Sequence, residues 1–252
     1  MTTGSVDLIG RYKGAMSGQA CLVTGAGSGI GRAIARAFAR SGAGIGLVGR
    51  QLKPLEETAD TVRQLGRRAL ALPADVRDPQ AVHEVTAQAA ASLGPIAVAV
   101  TGAGVNAWTD LRHLEPQLLR NALTTNVEGV ANVARAAVPA MVQRGQGKLL
   151  IVASDNGRRP EAEGSGYVAS KFAAVGFGLS LSRELMHTGV NVHIIEPGPV
   201  DTPWYRDDEE APREKMLRPD DVALACLFLA TLPSHIVLEE LMLLPRDLES
   251  AV

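Results

Sequence analysis

Cysteine is nearly absent from this 252-residue chain, with Cys21 and Cys226 the two it has. Both stand in apolar runs, so a disulfide-built scaffold is excluded and both read as small buried hydrophobes in a reducing compartment. Aromatic residues are scarce at 4%, which speaks against a sandwich or jelly roll, whose sheets draw on large β-favouring side chains. No charge of one sign dominates. The 25 basic and 27 acidic residues leave a net −2, and without a basic excess to hold a phosphate backbone no nucleic-acid partner is expected. No apolar run approaches the roughly 20 residues that span a bilayer. Residues 1–18 have neither the apolar segment nor the cleavage pattern of a secretion signal. A soluble cytoplasmic protein with no membrane partner is therefore the expectation. The five histidines are scattered without ligand spacing, so no metal is expected.

What the chain does have is alternation. Short, near-continuous apolar runs at 19–24, 44–48, 68–72, 96–100, 148–153, 190–195 and 236–244 read as buried strands. Between them, segments of helical period fall at 29–41, 53–65, 81–93, 116–142, 165–187 and 219–230. Strand and helix in turn, with strands apolar on both faces, predict a parallel sheet covered by helices on both sides. No repeat, low-complexity tract or linker divides the chain. Residues 19–252 read as one domain, preceded by a short polar extension over 1–18, mobile in part. Residues 201–219 form a charged, proline-rich loop with Trp204 and Tyr205 at its start, long enough to expect a functional role.

The first strand ends in Thr24-Gly25-Ala26-Gly27-Ser28-Gly29-Ile30-Gly31, and a helix starts at once. Glycines there permit a sharp turn and close backbone approach to a ligand. The helix start offers unpaired N–H groups and a partial positive charge, which suits a pyrophosphate. Tyr167 and Lys171 lie four apart in a helical segment and share a face. An ammonium about 5 Å from a phenol, at an effective dielectric near 20, contributes roughly 3 kcal/mol, or about two pK units toward the phenolate. Tyr167 is thereby placed to exchange a proton with a substrate oxygen.

The TGxxxGxG spacing, followed in order by Asn126, Ser154, Tyr167-Val168-Ala169-Ser170-Lys171 and Pro197-Gly198-Pro199-Val200-Asp201-Thr202, resembles the classical short-chain dehydrogenase/reductase family from Thr24 to Thr202. The resemblance implies a Rossmann-type doubly wound α/β fold of about seven strands. It also implies hydride transfer between a nicotinamide dinucleotide and a carbonyl or secondary alcohol. By resemblance Tyr167 is the general acid/base, Lys171 lowers its pKa, Ser154 holds the substrate oxygen, and Asn126 perturbs its helix and serves the proton relay. The resemblance further assigns Gly25, Ser28, Gly29, Ile30 and Gly31 to the dinucleotide's phosphates and Asp75 and Val76 to its adenine. It places Gly102, Ala103 and Gly104 against its backbone, Pro197, Gly198, Val200 and Thr202 beside its nicotinamide, and counts Tyr167 and Lys171 among the cofactor-binding residues as well. Asp78-Pro79 is the better helix cap, which leaves Asp75 free for a ligand. Thr101-Gly102 stands where the family usually has two asparagines.

The second strand ends in Gly49-Arg50. NAD-dependent members of the family carry an aspartate at the position of Gly49; a carboxylate would repel a 2′-phosphate and an arginine would fork it. NADP(H) is therefore favoured over NAD(H). Trp108, Trp204, Tyr205 and Met216 are candidates for the substrate pocket or a lid. Arg158 and Arg159 read either as solvated loop residues or as a grip on a substrate acid. The C-terminal stretch looks like the branch that includes NADP-dependent 3-hydroxy acid dehydrogenases. A 3-oxoacyl-(acyl carrier) reductase is the near alternative, and a non-catalytic dinucleotide-binding regulator is the alternative of another class. Helices near 131–141 and 172–185 carry apolar residues on more than one face, consistent with a homotetramer, as is usual for the family.

Overall fold

A computed structural model describes residues 8–205, 208–209 and 211–246. Seven parallel strands form one sheet in the order β3-β2-β1-β4-β5-β6-β7. They are β1 Ala20–Thr24, β2 Gly44–Gly49, β3 Ala69–Pro73, β4 Ile96–Thr101, β5 Gly147–Val152, β6 Val190–Pro197 and β7 Glu240–Leu243. The helices are α1 Gly29–Arg40, α2 Leu52–Gln64, α3 Pro79–Leu93, α4 Pro116–Leu123, α5 Gly129–Arg144, α6 Ser165–Glu184 and α7 Pro219–Thr231. The sequence reading of a doubly wound, Rossmann-type sheet thus holds, with each strand and helix within a few residues of its expected place except at two points.

The first is the apolar stretch 116–142, expected as one helix. It is two helices, α4 and α5, joined by a π-helical turn at Thr124–Glu128 that contains Asn126. Periodicity does not register such a turn, because the apolar pattern runs through it and only the hydrogen-bond ladder slips. The second is the last strand, which is only four residues long. Residues 236–239 run into it without regular structure.

Two apolar cores flank the sheet. On one face α1, α2 and α7 bring Ile34, Phe38, Leu55 and Leu227 against Val23, Ile45 and Val100. On the other, α3, α5 and α6 bring Ala89, Val133, Met141 and Val175 against Leu22, Ala99 and Ile151. Each large side chain removed from water in this way contributes about 1.5–3 kcal/mol. Part of the expected polar extension joins the first core: Met16 is fully buried, with Ile9 and Tyr12 packed beside it. Residues 1–7 lie outside the described residues. Among the described residues no helix is long and apolar enough to cross a membrane, and no group of His, Cys, Asp or Glu is placed to hold a metal ion.

Candidate active site

In a parallel sheet every strand delivers its carboxyl end to the same rim, and the loops leaving that rim meet there. A cavity of about 1050 Å³ runs along the ends of β1 to β6. At its first end the chain leaves β1 through Gly25 and enters α1. A Cβ at Gly31 would stand 2.3 Å from the Gly25 carbonyl oxygen, and one at Gly25 2.5 Å from that of Gly102. The turn is therefore closed to any side chain at these two points. Ser28 is the N-cap of α1 but its side chain caps nothing, and the first turn holds no acid. The amides of Gly29, Ile30 and Gly31 have no partner among the described residues and lie on the cavity wall. This is a cradle for an anion, built by leaving a helix start uncapped.

Thr24 supports the cradle. Its hydroxyl accepts from the amides of Gly102 (3.1 Å) and Ala103 (3.2 Å) and donates to Val100 O (3.3 Å). One side chain of β1 thereby holds the loop after β4, where the family usually places asparagines.

Arg50 leaves β2 exposed on the cavity wall, with no hydrogen bond or ion pair among the described residues. Asp75 differs from expectation. It is not free: the Arg77 guanidinium forks it, with Nη2 2.6 Å from Oδ2 and Nε 3.0 Å from each oxygen. That pairing, with a smaller contribution from Arg50, holds the Asp75 carboxyl below its usual range. Sequence reasoning missed Arg77 because a residue two along in a loop carries no periodic signal. Asp78 caps α3 as expected, accepting from Gln80 and Ala81 N.

At the other end, Ser154 follows β5, and Tyr167 and Lys171 rise from α6 on one face. Lys171 Nζ stands 5.5 Å from the Tyr167 ring centre and donates to Ala153 O at 2.9 Å. Burial lowers the Lys171 ammonium to about 8. Burial also pushes the Tyr167 phenol up. A hydrogen bond with Ser154 pulls it down, and the charges of Tyr205 and Asp155 push it further up. The sequence argument took the ammonium as the dominant influence and set the phenol below its usual range. With burial included, the phenol lies above that range and holds its proton at neutral pH.

Of the catalytic and cofactor-binding residues named from sequence, all but Asn126 line the cavity, while the candidate substrate-side arginines Arg158 and Arg159 do not. Asn126 sits behind the wall, 2% exposed. Its Oδ1 accepts from Val105 N (2.9 Å), and its Nδ2 donates to Val105 O (3.0 Å) and Ser170 Oγ (2.9 Å). A Cβ at Gly104 would stand 3.3 Å from Asn126 Oδ1 and 3.9 Å from Lys171 Nζ. Asn126 thus ties the loop after β4 to α6, and the π-helical turn is what aims it there.

Trp108, Trp204 and Tyr205 line the cavity, and Met216 does not. The two tryptophan rings flank Tyr167 at 6.1 and 5.7 Å. Arg158 is turned away from any substrate acid: its Nε pairs with Glu240 at 2.7 Å and with Glu196 at 3.7 Å. Asp155 and Glu161, which the sequence reading passed over, both line the cavity.

Glu196 ends β6 with its carboxyl 2% exposed. Burial, then the neighbouring Glu240, raise its pKa to about 7. A carboxyl whose folded pKa lies above its unfolded value adds stability below the unfolded pKa and loses it as pH rises through the folded one. Wild type should thus lose up to about 3 kcal/mol between about pH 5 and pH 8 from this group. Glu196→Gln should remove that loss, read by urea unfolding at both pH values. Equal pH slopes in variant and wild type would contradict the assignment.

A family model described as short chain dehydrogenase matches residues 19–213. The chain belongs to that family. It is 32% identical to the 2,3-dihydro-2,3-dihydroxybenzoate dehydrogenase of Bacillus subtilis, over 86% of this chain and 90% of that one. It is also 32% identical to a glycine betaine reductase of Emericella nidulans over 93% of its own length, but it spans only 19% of that much longer protein. Among solved structures, an alcohol dehydrogenase from Thermococcus sibiricus complexed with 5-hydroxy-NADP superposes with a TM-score of 0.86 at 30% identity. That match covers 93% of this chain and 99% of that one.

Proposed function

We propose that the chain is an NADP(H)-dependent oxidoreductase that interconverts a carbonyl and a secondary alcohol, one domain over 19–252. The observation that carries this reading is Tyr167, set with Ser154 and Lys171 on the wall of the same cavity as the uncapped start of α1. The chain's residues suit a dinucleotide: bare helix amides for the pyrophosphate, glycines where a Cβ would strike backbone, and at the end of β2 an arginine on the cavity wall with no ion pair among the described residues. Gly29, Ile30 and Gly31 would hold the phosphates, Arg50 the 2′-phosphate, and Val200 and Thr202 the nicotinamide end. The nicotinamide, when bound, supplies or accepts the hydride.

The protein's part is acid–base chemistry and position. Ser154 holds the substrate oxygen beside the phenol. Tyr167 donates its proton to that oxygen as the carbon gains the hydride, so a carbonyl takes up one hydride and one proton and leaves as the alcohol. Lys171 opposes the burial of the phenolate left behind, and Asn126 positions the path by which the proton is restored. Trp108, Trp204 and Tyr205 keep water from the reacting centre.

Arg50 separates the two cofactors. Arg50→Ala should weaken NADPH by about 10–100-fold, the worth of one charge-assisted phosphate fork, and NADH by less than about threefold. Titration of both coenzymes reads this directly. Equal weakening of the two, or of neither, refutes the preference for NADP(H). We place the protein in the cytoplasm as a homotetramer, with the exposed apolar side chains Val142 and Phe172, on α5 and α6, as candidate contacts between copies.

A further inference from the structure

The cavity is sorted by charge along its length. Arg32, Arg50 and Arg77 line the end at the glycine turn, where Glu57 and Asp75 pair with Arg32 and Arg77 and leave Arg50 in excess. The substrate end has Asp155, Glu161 and Asp208, all three close enough to Tyr205 to push its phenol upward together with burial. Among the described residues Lys171 is the one cation lining that end, and its ammonium is turned onto the Ala153 carbonyl. Arg158, the nearby loop arginine, is committed to Glu240 and Glu196.

Asp155 is the distinctive group. It is 8% exposed, directly follows Ser154, and lies on the cavity wall. Its Oδ1 takes the Ser154 hydroxyl (3.0 Å) and the Asn156 amide (2.9 Å). Among the described residues no hydrogen bond reaches Oδ2, which lies over Gly198, 3.3 Å from where a Cβ would stand. Oδ2 keeps access to the cavity, and a cation placed there would offset the cost of burying the rest of the carboxylate. An independent feature of the same walls points to the partner's sign. Both of the chain's tryptophans, Trp108 and Trp204, stand here beside Tyr167, and aromatic faces attract cations that have shed water. Arg159 is near enough to Asp155 to oppose the rise in its pKa but does not line the cavity, so among the described residues an anionic substrate would meet three carboxylates on these walls. A purely apolar one would leave Asp155 buried and unanswered.

We propose that the substrate is a carbonyl compound or alcohol bearing a protonated or quaternary amine close to the reacting carbon, its nitrogen held by Asp155 and the rings of Trp108 and Trp204. This deepens the oxidoreductase reading above and rests on it for the reaction, though not for binding.

The test compares trimethylammonioacetone with its carbon isostere methyl neopentyl ketone, which differ only in the charged atom, and with acetoacetate as the anion. In wild type kcat/KM for the cation should exceed that for the isostere by at least about tenfold, with acetoacetate the poorest. Asp155→Asn should reduce the ratio of cation to isostere by about tenfold or more, chiefly through KM. Loss of rate on both ketones by one factor would mean that Asp155 serves only to position Ser154, and would overturn the proposal. So would equal use of cation and isostere in wild type. Quenching of Trp108 and Trp204 fluorescence by each ketone reads binding without turnover. Preferential binding of the cation with no turnover of any ketone supports the site and sinks the oxidoreductase reading. Equal binding of cation and isostere sinks the site alone.

Discussion

Tyr167→Phe should lower kcat by about a hundred- to ten-thousandfold, the usual worth of a positioned proton donor. The ring would remain, flanked by Trp108 and Trp204 at 6.1 and 5.7 Å, so the cavity keeps its shape. Only the phenolic oxygen goes, and with it the hydrogen bond to Ser154. Because that oxygen acts in the transition state, the loss should fall on kcat and kcat/KM together. NADPH affinity, set mainly by the glycine turn and Arg50 at the far end of the cavity, should change by less than about threefold. A variant that keeps its rate would assign the proton to another group. A wild-type protein that binds NADPH and turns over no carbonyl would return the chain to the regulator reading.

Gly31→Ala should be as severe for a different reason. The added Cβ would meet the Gly25 carbonyl oxygen at 2.3 Å and its carbon at 2.6 Å. Both are backbone, so no side chain can swing away. The start of α1 or the turn itself must shift. Overpacking of this kind costs about 3 kcal/mol, which for a domain of this size lowers Tm by about 6–12 °C. The shift also moves the amides of Gly29 to Gly31 off the anion they would cradle, and NADPH binding should fall by at least about a hundredfold. Gly66→Ala is the control: a Cβ there meets nothing within 4 Å, although φ is +74°. It should cost about 1 kcal/mol of stability and leave binding intact. Calorimetry and coenzyme titration decide between the two outcomes. Wild-type binding by Gly31→Ala would mean that the cradle does not hold the coenzyme.

The sheet was readable in advance because a strand buried on both faces writes a short apolar run, and six of the seven did so within a residue or two. The π-helical turn at Asn126 left no mark in the periodicity, since Val127, Gly129 and Val130 continue the apolar pattern through it; the family resemblance alone put a perturbation of the helix there. The grouping of Ser154, Tyr167 and Lys171 was legible from order and spacing. The direction of the Tyr167 pKa was not: spacing shows that a lysine is near, while the cost of burying the phenolate depends on Trp108 and Trp204, which arrive from distant loops. Asp75 and Asp155 failed to read for a shared reason. The partner of a loop carboxylate is set by local backbone turns, and neither the fork with Arg77 nor the bond to Ser154 leaves a pattern in the chain.

The strand order has a consequence for redesign. Arg50 leaves β2 and Ser154 leaves β5, and in the sheet β1 and β4 stand between them. At the usual inter-strand spacing that separates them by about 14 Å. Changes at such a distance combine almost independently. Coenzyme preference and substrate scope are thus separate dials on one rim: a library at position 50 and another at positions 108, 155 and 204 can be screened apart and then joined, their gains multiplying.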